Sequence, residues 1–153
     1  MKTLLHIQMN IGHLLQRAVE EELAPFGLHH GQGRALMFIL REAPVTQAEL
    51  SRLMNVKAAT VTNMLKPLEQ QGLIQRRNDP VTNRALLVSL TPEGEVACEQ
   101  VRNAWEQVEK RIRSGLTQQE LETTFPTLEK VLVALGGTVP QNPINSFIKR
   151  KTS

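Results

Sequence analysis

Apolar residues recur every three or four positions along most of the chain, which is the spacing of amphipathic helices. The pattern predicts six helices, over about residues 3–23, 32–42, 46–55, 57–71, 92–114 and 118–135. Threonine followed three residues later by glutamate, at Thr46 and at Thr117, is a capping box that marks a helix start. Gly136 and Gly137 end the last predicted helix.

Between the fourth and fifth helices the period changes from helical to alternating. Gly72 breaks the helical pattern, and LIQRR–NDPVTNR–ALLVSL follows, with Asp79-Pro80 as a turn signal. The alternation predicts a β-hairpin whose return strand points Leu86, Val88 and Leu90 inward and Leu87 and Ser89 outward. Before the third helix, Pro44 and Val45 are expected to form a short extended link.

These elements, in this order, predict a mainly α protein with a small antiparallel β-wing. The arrangement is a winged helix-turn-helix, over about 32–91, with N- and C-terminal dimerisation helices over about 3–23 and 92–135. We expect one domain over 1–135 and a basic C-terminal tail over 136–153. The terminal helices carry longer apolar stripes than one small domain covers, so a symmetric homodimer is favoured over the alternative of a monomeric helical bundle.

Composition narrows the class of protein. The chain has 153 residues, a net charge of +3 and one cysteine, Cys98, which leaves no internal disulfide. It shows no signal-peptide pattern and no apolar run long enough for a membrane span, so the prediction is a cytoplasmic protein without a membrane partner. Phosphate-binding loops, nucleophile elbows and zinc-protease motifs are not found in the sequence, which argues against an enzyme.

The charge is unevenly distributed along the chain. Residues 51–90 carry six positive and two negative charges, whereas residues 91–135 carry five positive and eight negative ones. Positive potential therefore coincides with the helix-turn-helix and the hairpin, as a phosphate-binding surface requires. The partner predicted from this pattern is double-stranded DNA.

The fourth helix has one apolar and one polar side. The apolar side carries Val61, Met64, Leu65 and Leu68. The opposite side shows small and amide residues that suit base edges in the major groove. Lysines and hydroxyl groups suit phosphates, and an arginine at the wing tip suits the minor groove. For Arg76 the alternative is an intramolecular pair with an acidic residue. The predicted DNA-binding residues are Thr46, Gln47, Lys57, Ala58, Ala59, Thr60, Thr62, Asn63, Lys66, Arg76, Arg77, Asn83 and Arg84.

The stretch TQAELSRLM–ATVTNMLKPLEQQGLIQRR–DP–NR–LVSLTPEG resembles the multiple-antibiotic-resistance regulator (MarR) family, and with the flanking helices the similarity covers about residues 3–135. The resemblance implies a homodimeric repressor, bacterial or archaeal, which reads a pseudo-palindromic operator and is associated with the nucleoid when bound. Two positions depart from the family. Thr82-Asn83-Arg84 replaces an Asp-Arg-Arg wing, and Gly33 stands where relatives often carry a large aromatic that would form a pocket wall.

The resemblance also implies release from DNA by a small-molecule effector. For an organic ligand we single out His13, Arg17, Met37 and Phe38. A metal- or redox-responsive regulator is an alternative, but the histidines form no recognised zinc spacing, and Cys98 is expected to be a small packed residue. No metal site and no cofactor are predicted. A winged-helix protein-interaction module without DNA binding is a further alternative.

Overall fold

The computed structural model describes residues 3–82 and 85–139, which fold into helices and one small sheet. The helices are α1 (Leu4–Leu23), α2 (His30–Glu42), α3 (Gln47–Met54), α4 (Ala58–Gln70), α5 (Pro92–Ser114) and α6 (Gln118–Ala134), with a 3₁₀ turn at Ala24–Phe26. The strands are β1 (Val45–Thr46), β2 (Ile74–Asn78) and β3 (Leu86–Leu90). This confirms the predicted fold class.

The sheet has three antiparallel strands in the order β1-β3-β2. Val88 in the middle of β3 is opposite Val45 on one side and Arg76 on the other. The expectation that Pro44 and Val45 form a short extended link was therefore incomplete, because Val45 begins a strand. This strand attaches the start of α3 directly to the wing.

The inward direction predicted for three residues of β3 was only partly right. Val88 is fully buried and Leu90 is partly buried, but Leu86 is exposed. Leu86 is paired with the exposed Asn78 in the last pair of the ladder, next to the wing tip. The apolar alternation thus continues beyond the part of the strand that the helices cover.

Both predicted capping boxes are present. The hydroxyl of Thr46 accepts from the Glu49 backbone N–H at 3.2 Å, and the Glu49 carboxylate accepts from the Thr46 backbone N–H at 2.7 Å. Thr117 and Glu120 repeat the arrangement at the start of α6. These hydrogen bonds from backbone and side chain of the capping threonines lower the pKa of both glutamates.

The chain divides into two compact units, one up to Trp105 and one from Glu106 onward. The first unit contains the winged helix and a core built around α2. Gly33 lies inside this core, since a Cβ at that position would be 3.1 Å from Leu23 and 3.3 Å from Val101. The glycine permits close helix packing at the position where the family resemblance implied a different pocket wall.

The second unit contains the end of α5 and the whole of α6, over the described residues 106–139. Its α6 carries apolar side chains that are exposed in one copy of the chain, including Phe125, Leu128 and Val133. Arg113 lies over the Phe125 ring at 5.5 Å and pairs with Glu109 at 2.6 Å. The domain limits 1–135 and 136–153 stay predictions, and residues 140–153 of the basic tail lie outside the described residues.

Helix α1, in the first unit, is amphipathic but almost uncovered. Of its residues only Leu23 is buried, at its C-terminal end. Its exposed apolar side chains are Leu4, Leu5, Ile7, Met9, Ile11, Leu14 and Leu15. None of the helices in the described part of the chain combines the length and apolar character needed to cross a membrane.

Candidate nucleic-acid interface

The turn between α3 and α4 is fixed by local hydrogen bonds. Asn55 ends α3 in the left-handed conformation at φ 53°, which asparagine tolerates better than most residues. The Ser51 hydroxyl donates to the Val56 carbonyl at 2.6 Å, and the Arg34 guanidinium of α2 donates to the Met54 carbonyl at 3.3 Å. Together these contacts set the direction in which α4 leaves the turn.

Helix α4 divides into a buried and an exposed face, as the sequence predicted. Val61, Leu65 and Leu68 are fully buried. The opposite face is exposed and small or polar over most of its length, with the predicted residues Ala58, Ala59, Asn63 and Lys66. Thr60 is partly buried and Lys57 is the exposed N-cap residue. The structure therefore presents these side chains on the surface, next to the wing.

Three other predicted DNA-binding residues are hydrogen-bonded to each other. The Gln47 amide of α3 donates to the Thr62 hydroxyl of α4, which in turn donates to the Ala58 carbonyl at 3.1 Å. The amide oxygen of Gln47 accepts from Arg76 of β2 at 3.4 Å. Sequence reasoning proposed Gln47, Thr62 and Arg76 as separate contacts to DNA and did not anticipate this network.

Arg76 forms the intramolecular pair that was considered as the alternative to a phosphate contact. Its Nε lies 3.1 Å from the Glu69 carboxylate, and its side chain is 18% exposed. The Nε–H is not aligned for a hydrogen bond, so the contact is an electrostatic one. Glu69 is the only acidic residue of α4, and Arg76 neutralises it.

The Asp79 carboxylate holds the turn from Asp79 to Thr82 in the wing. Its carboxylate accepts from the Val81 backbone N–H at 2.9 Å and from the Thr82 hydroxyl at 2.8 Å, and these bonds lower the pKa of Asp79. At the base of the tip, Arg77 is exposed and donates to the Gln75 amide oxygen at 3.2 Å. The two remaining predicted residues, Asn83 and Arg84, lie outside the described residues.

Arg52, which the sequence did not single out, lies beside the predicted DNA-binding residue Lys57. An open cavity of about 550 Å³ at the α3–α4 turn is lined by Ala48, Ser51, Arg52, Asn55, Val56 and Lys57. Arg52 is exposed, and the turn places it near Lys57, which belongs to the next helix. Arg52 and Lys57 line the same cavity because the chain reverses direction at Asn55. The sequence pattern does not show this reversal, so it did not indicate that the two cations lie together.

The four residues singled out for an effector have different environments. Met37 is a core residue, and Phe38 is partly buried beneath Arg41, whose guanidinium lies 5.0 Å from the ring centroid. His13 and Arg17 are exposed on α1, and Arg17 pairs with Glu21 at 3.1 Å. A ligand could reach Met37 only by displacing core side chains. The effector role of all four residues stays a prediction.

Cys98 is a packed residue, as predicted. It is 2% exposed, and its thiol faces the Leu36 carbonyl at 3.6 Å. Burial, with the nearby Glu95 carboxylate as a second cause, raises the pKa of the thiol to about 12. Within residues 3–82 and 85–139, His, Cys, Asp and Glu side chains form no group of three that could hold a metal ion.

Comparison with known proteins places these features in a family. The sequence model of the MarR family matches residues 28–86. The chain is 32% identical over 119 residues to the HTH-type transcriptional regulator YwoH of Bacillus subtilis, an alignment that covers 78% of this chain and 86% of that protein. It is 31% identical over 117 residues to the multiple antibiotic resistance protein MarR of Escherichia coli, with 76% and 81% covered.

Solved structures agree with the sequence comparison. The reduced form of MarR from E. coli matches with a TM-score of 0.79 at 28% identity, over 86% of this chain and 98% of that one. A mutant of the same protein in complex with operator DNA matches with a TM-score of 0.75, also at 28% identity, over 83% and 91%. These similarities in sequence and fold show that the chain belongs to the MarR family and is a transcription regulator, not an enzyme.

Proposed function

We propose that this regulator is a homodimeric repressor that binds a pseudo-palindromic operator and releases it when a small-molecule effector binds. Two copies of α4 would enter successive major grooves about one helical turn, ~34 Å, apart. The observation that carries the proposal is the exposed face of α4, which presents small residues, an amide and a lysine. The acidic residue of this helix, Glu69, is paired with Arg76.

The composition of this face suits the major groove. Ala58 and Ala59 let the helix approach base edges closely, and Asn63 has the amide geometry that pairs with adenine. Lys57 and Lys66, with Arg52 at the preceding turn, are suited to phosphates on either side. Because Glu69 is neutralised by Arg76, the helix presents no net negative charge to the duplex.

The wing supplies the second contact. Arg77 is exposed at its base, and Arg84 is proposed to enter the adjacent minor groove, where the negative potential is enhanced when the groove is narrow. Asp79 holds the preceding turn through hydrogen bonds to Val81 and Thr82. The solved complex of a related regulator with operator DNA supports operator binding by the present chain.

Dimerisation is supported separately by each terminal helix. Seven large apolar residues of α1 are exposed, and α6 exposes a further set. Exposed apolar side chains that recur along one helix are typical of an interaction site. A two-fold interface uses the same patch twice and covers it with identical residues.

Effector release follows from a change in the distance between the two α4 helices. A ligand that binds better to a spacing unsuited to DNA would shift the population away from the operator. His13, Arg17, Met37 and Phe38 remain the residues to test first. Among the alternatives, a redox sensor using Cys98 is disfavoured by the burial and raised pKa of its thiol.

The proposal is tested by selecting bound sequences from a pool of random duplexes and measuring affinity for the preferred one. We expect a symmetric consensus and an affinity that falls steeply with salt, because each neutralised phosphate releases counterions. Metabolites are then screened for release of that duplex. Absence of any preferred sequence, even in dilute buffer, would favour the protein-interaction module instead.

A further inference from the structure

The contacts of Gln47 suggest a role other than reading DNA. The side chain lies at the start of α3, is partly buried, and uses its amide N–H toward Thr62 and its amide oxygen toward Arg76. Thr62 belongs to α4 and Arg76 belongs to β2. One side chain therefore joins the helix-turn-helix to the base of the wing.

The attachment points on α4 lie on one side of the helix. Thr62 and Glu69 are seven residues apart, so they occupy the same face, about 10 Å apart along the axis at 1.5 Å per residue. Glu69 pairs with Arg76 at 3.1 Å, and Arg76 is also the donor to Gln47. This row lies between the buried face with Val61 and Leu65 and the exposed face with Asn63 and Lys66.

We propose that Gln47 is a positioning residue which, with Arg76, fixes the rotation of α4 relative to the wing and thereby sets operator specificity. This inference rests on the proposed DNA binding. Thr62 and Arg76 use their polar groups within the network. We therefore expect them to position α4 rather than to contact bases. The side chains that touch bases are then those of the neighbouring exposed face, Asn63 among them.

Positioning and direct reading predict different patterns of loss. A base-contacting glutamine discriminates at one base pair, so its removal abolishes the penalty for changing that pair alone. A positioning glutamine affects every contact of α4 at once. Its removal should lower the penalties at several base pairs together and should leave affinity for an unrelated duplex nearly unchanged, since the phosphate-binding cations remain.

The experiment measures dissociation constants of wild type, Gln47→Ala, Thr62→Val, Thr62→Ser and the Gln47→Ala/Thr62→Val double variant. Each is tested on the preferred duplex, its single base-pair variants and an unrelated duplex. Thr62→Val removes one hydrogen bond of the network and is expected to weaken binding to the preferred duplex about tenfold. Gln47→Ala removes two hydrogen bonds and should weaken binding at least as much. The double variant should lose no more than Gln47→Ala alone, and Thr62→Ser, which keeps the hydroxyl, should bind like wild type. Gln119→Ala, a matched removal in α6, should have no effect.

Several results would overturn the positioning role. They are loss of discrimination at a single base pair, additive losses in the double variant, or an unaltered affinity for Gln47→Ala. Thermal unfolding of each variant shows whether a loss reflects misfolding, and the surface variant Thr62→Val tests the same bond should Gln47→Ala fold poorly. If the wild type prefers no DNA sequence, the proposed function is wrong. If the wild type prefers a sequence and Gln47→Ala binds it equally well, only the positioning role is wrong.

Discussion

Helices α1 and α2 belong to the same unit and have similar amphipathic patterns, yet they differ in what covers their apolar sides. Helix α2 buries seven residues, and α1 buries only Leu23. Leu23 at the end of α1 and Val101 of α5 pack against α2 at Gly33, whereas seven large apolar side chains of α1 are exposed. An apolar stripe in the sequence therefore predicts a face that favours burial, but it does not show whether the same chain covers that face.

The largest expected effect is a difference in the free energy of unfolding between substitutions in α2 and in α1. Leu36→Ala in α2 removes a fully buried side chain, and the cavity should lower the free energy of unfolding by about 2–5 kcal/mol. Urea unfolding at a protein concentration low enough for monomers measures this. The matched change Leu14→Ala in α1 should cost within about 0.5 kcal/mol under the same conditions, as at other exposed positions. Equal losses at the two positions would show that α1 is covered within its own chain.

The second effect concerns association. Leu14→Glu places a charge on each copy of the exposed α1 face, and we expect the dimer to weaken by about 2–4 kcal/mol, or at least 30-fold in dissociation constant. Sedimentation equilibrium measures the change. Val81→Glu, which places the same charge at an exposed apolar position of the wing, should leave the mass unchanged. A Leu14→Glu variant with the mass of the wild type would remove α1 from the interface.

Features that depend on neighbouring residues were predicted from the sequence, whereas features that depend on residues far apart in the chain were not. The capping boxes at Thr46 and Thr117 are local, so the starts of α3 and α6 were predicted correctly. Strand β1 was missed because it has two residues and depends on pairing with Val88, more than forty positions later. A short apolar segment beside a proline carries no signal of that distant partner.

The candidate site shows the same limit. The periodicity of α4 was sufficient to separate its buried face from the face with Asn63 and Lys66. The contacts of Gln47 with Thr62 and Arg76 could not be predicted, because they join three elements brought together only by the tertiary fold. Leu86 was predicted to point inward but is exposed. Alternation along a strand does not show at which residue the rest of the protein stops covering it.

A third prediction compares two neighbours on the exposed face of α4. Asn63→Ala should cost about 1–3 kcal/mol on the preferred duplex and abolish discrimination at one adenine-containing base pair. Lys66→Ala should weaken binding to all duplexes alike and reduce the slope of affinity against salt by about one. Fluorescence anisotropy with base-substituted duplexes measures both. If Asn63→Ala lost affinity uniformly, the assignment of base reading to Asn63 would be wrong.

The smallest effect is expected at Cys98. With a pKa raised to about 12, the thiol is almost entirely protonated at pH 8, so the native protein should react with a disulfide reagent far more slowly than the unfolded chain. The raised pKa also predicts that stability present below pH 9 is lost as the pH rises toward 12, since the unfolded thiol then releases its proton first. Prompt labelling of the native thiol, with loss of DNA binding, would restore a redox role.

The most direct test of the proposed dimeric reader is the mass and footprint of its complex with the selected duplex. Native mass spectrometry should give two chains per duplex, and chemical footprinting should show two protected major grooves about 34 Å apart, related by the symmetry of the sequence. A complex with one chain, or no complex in dilute buffer, would contradict a dimer that reads DNA through two copies of α4.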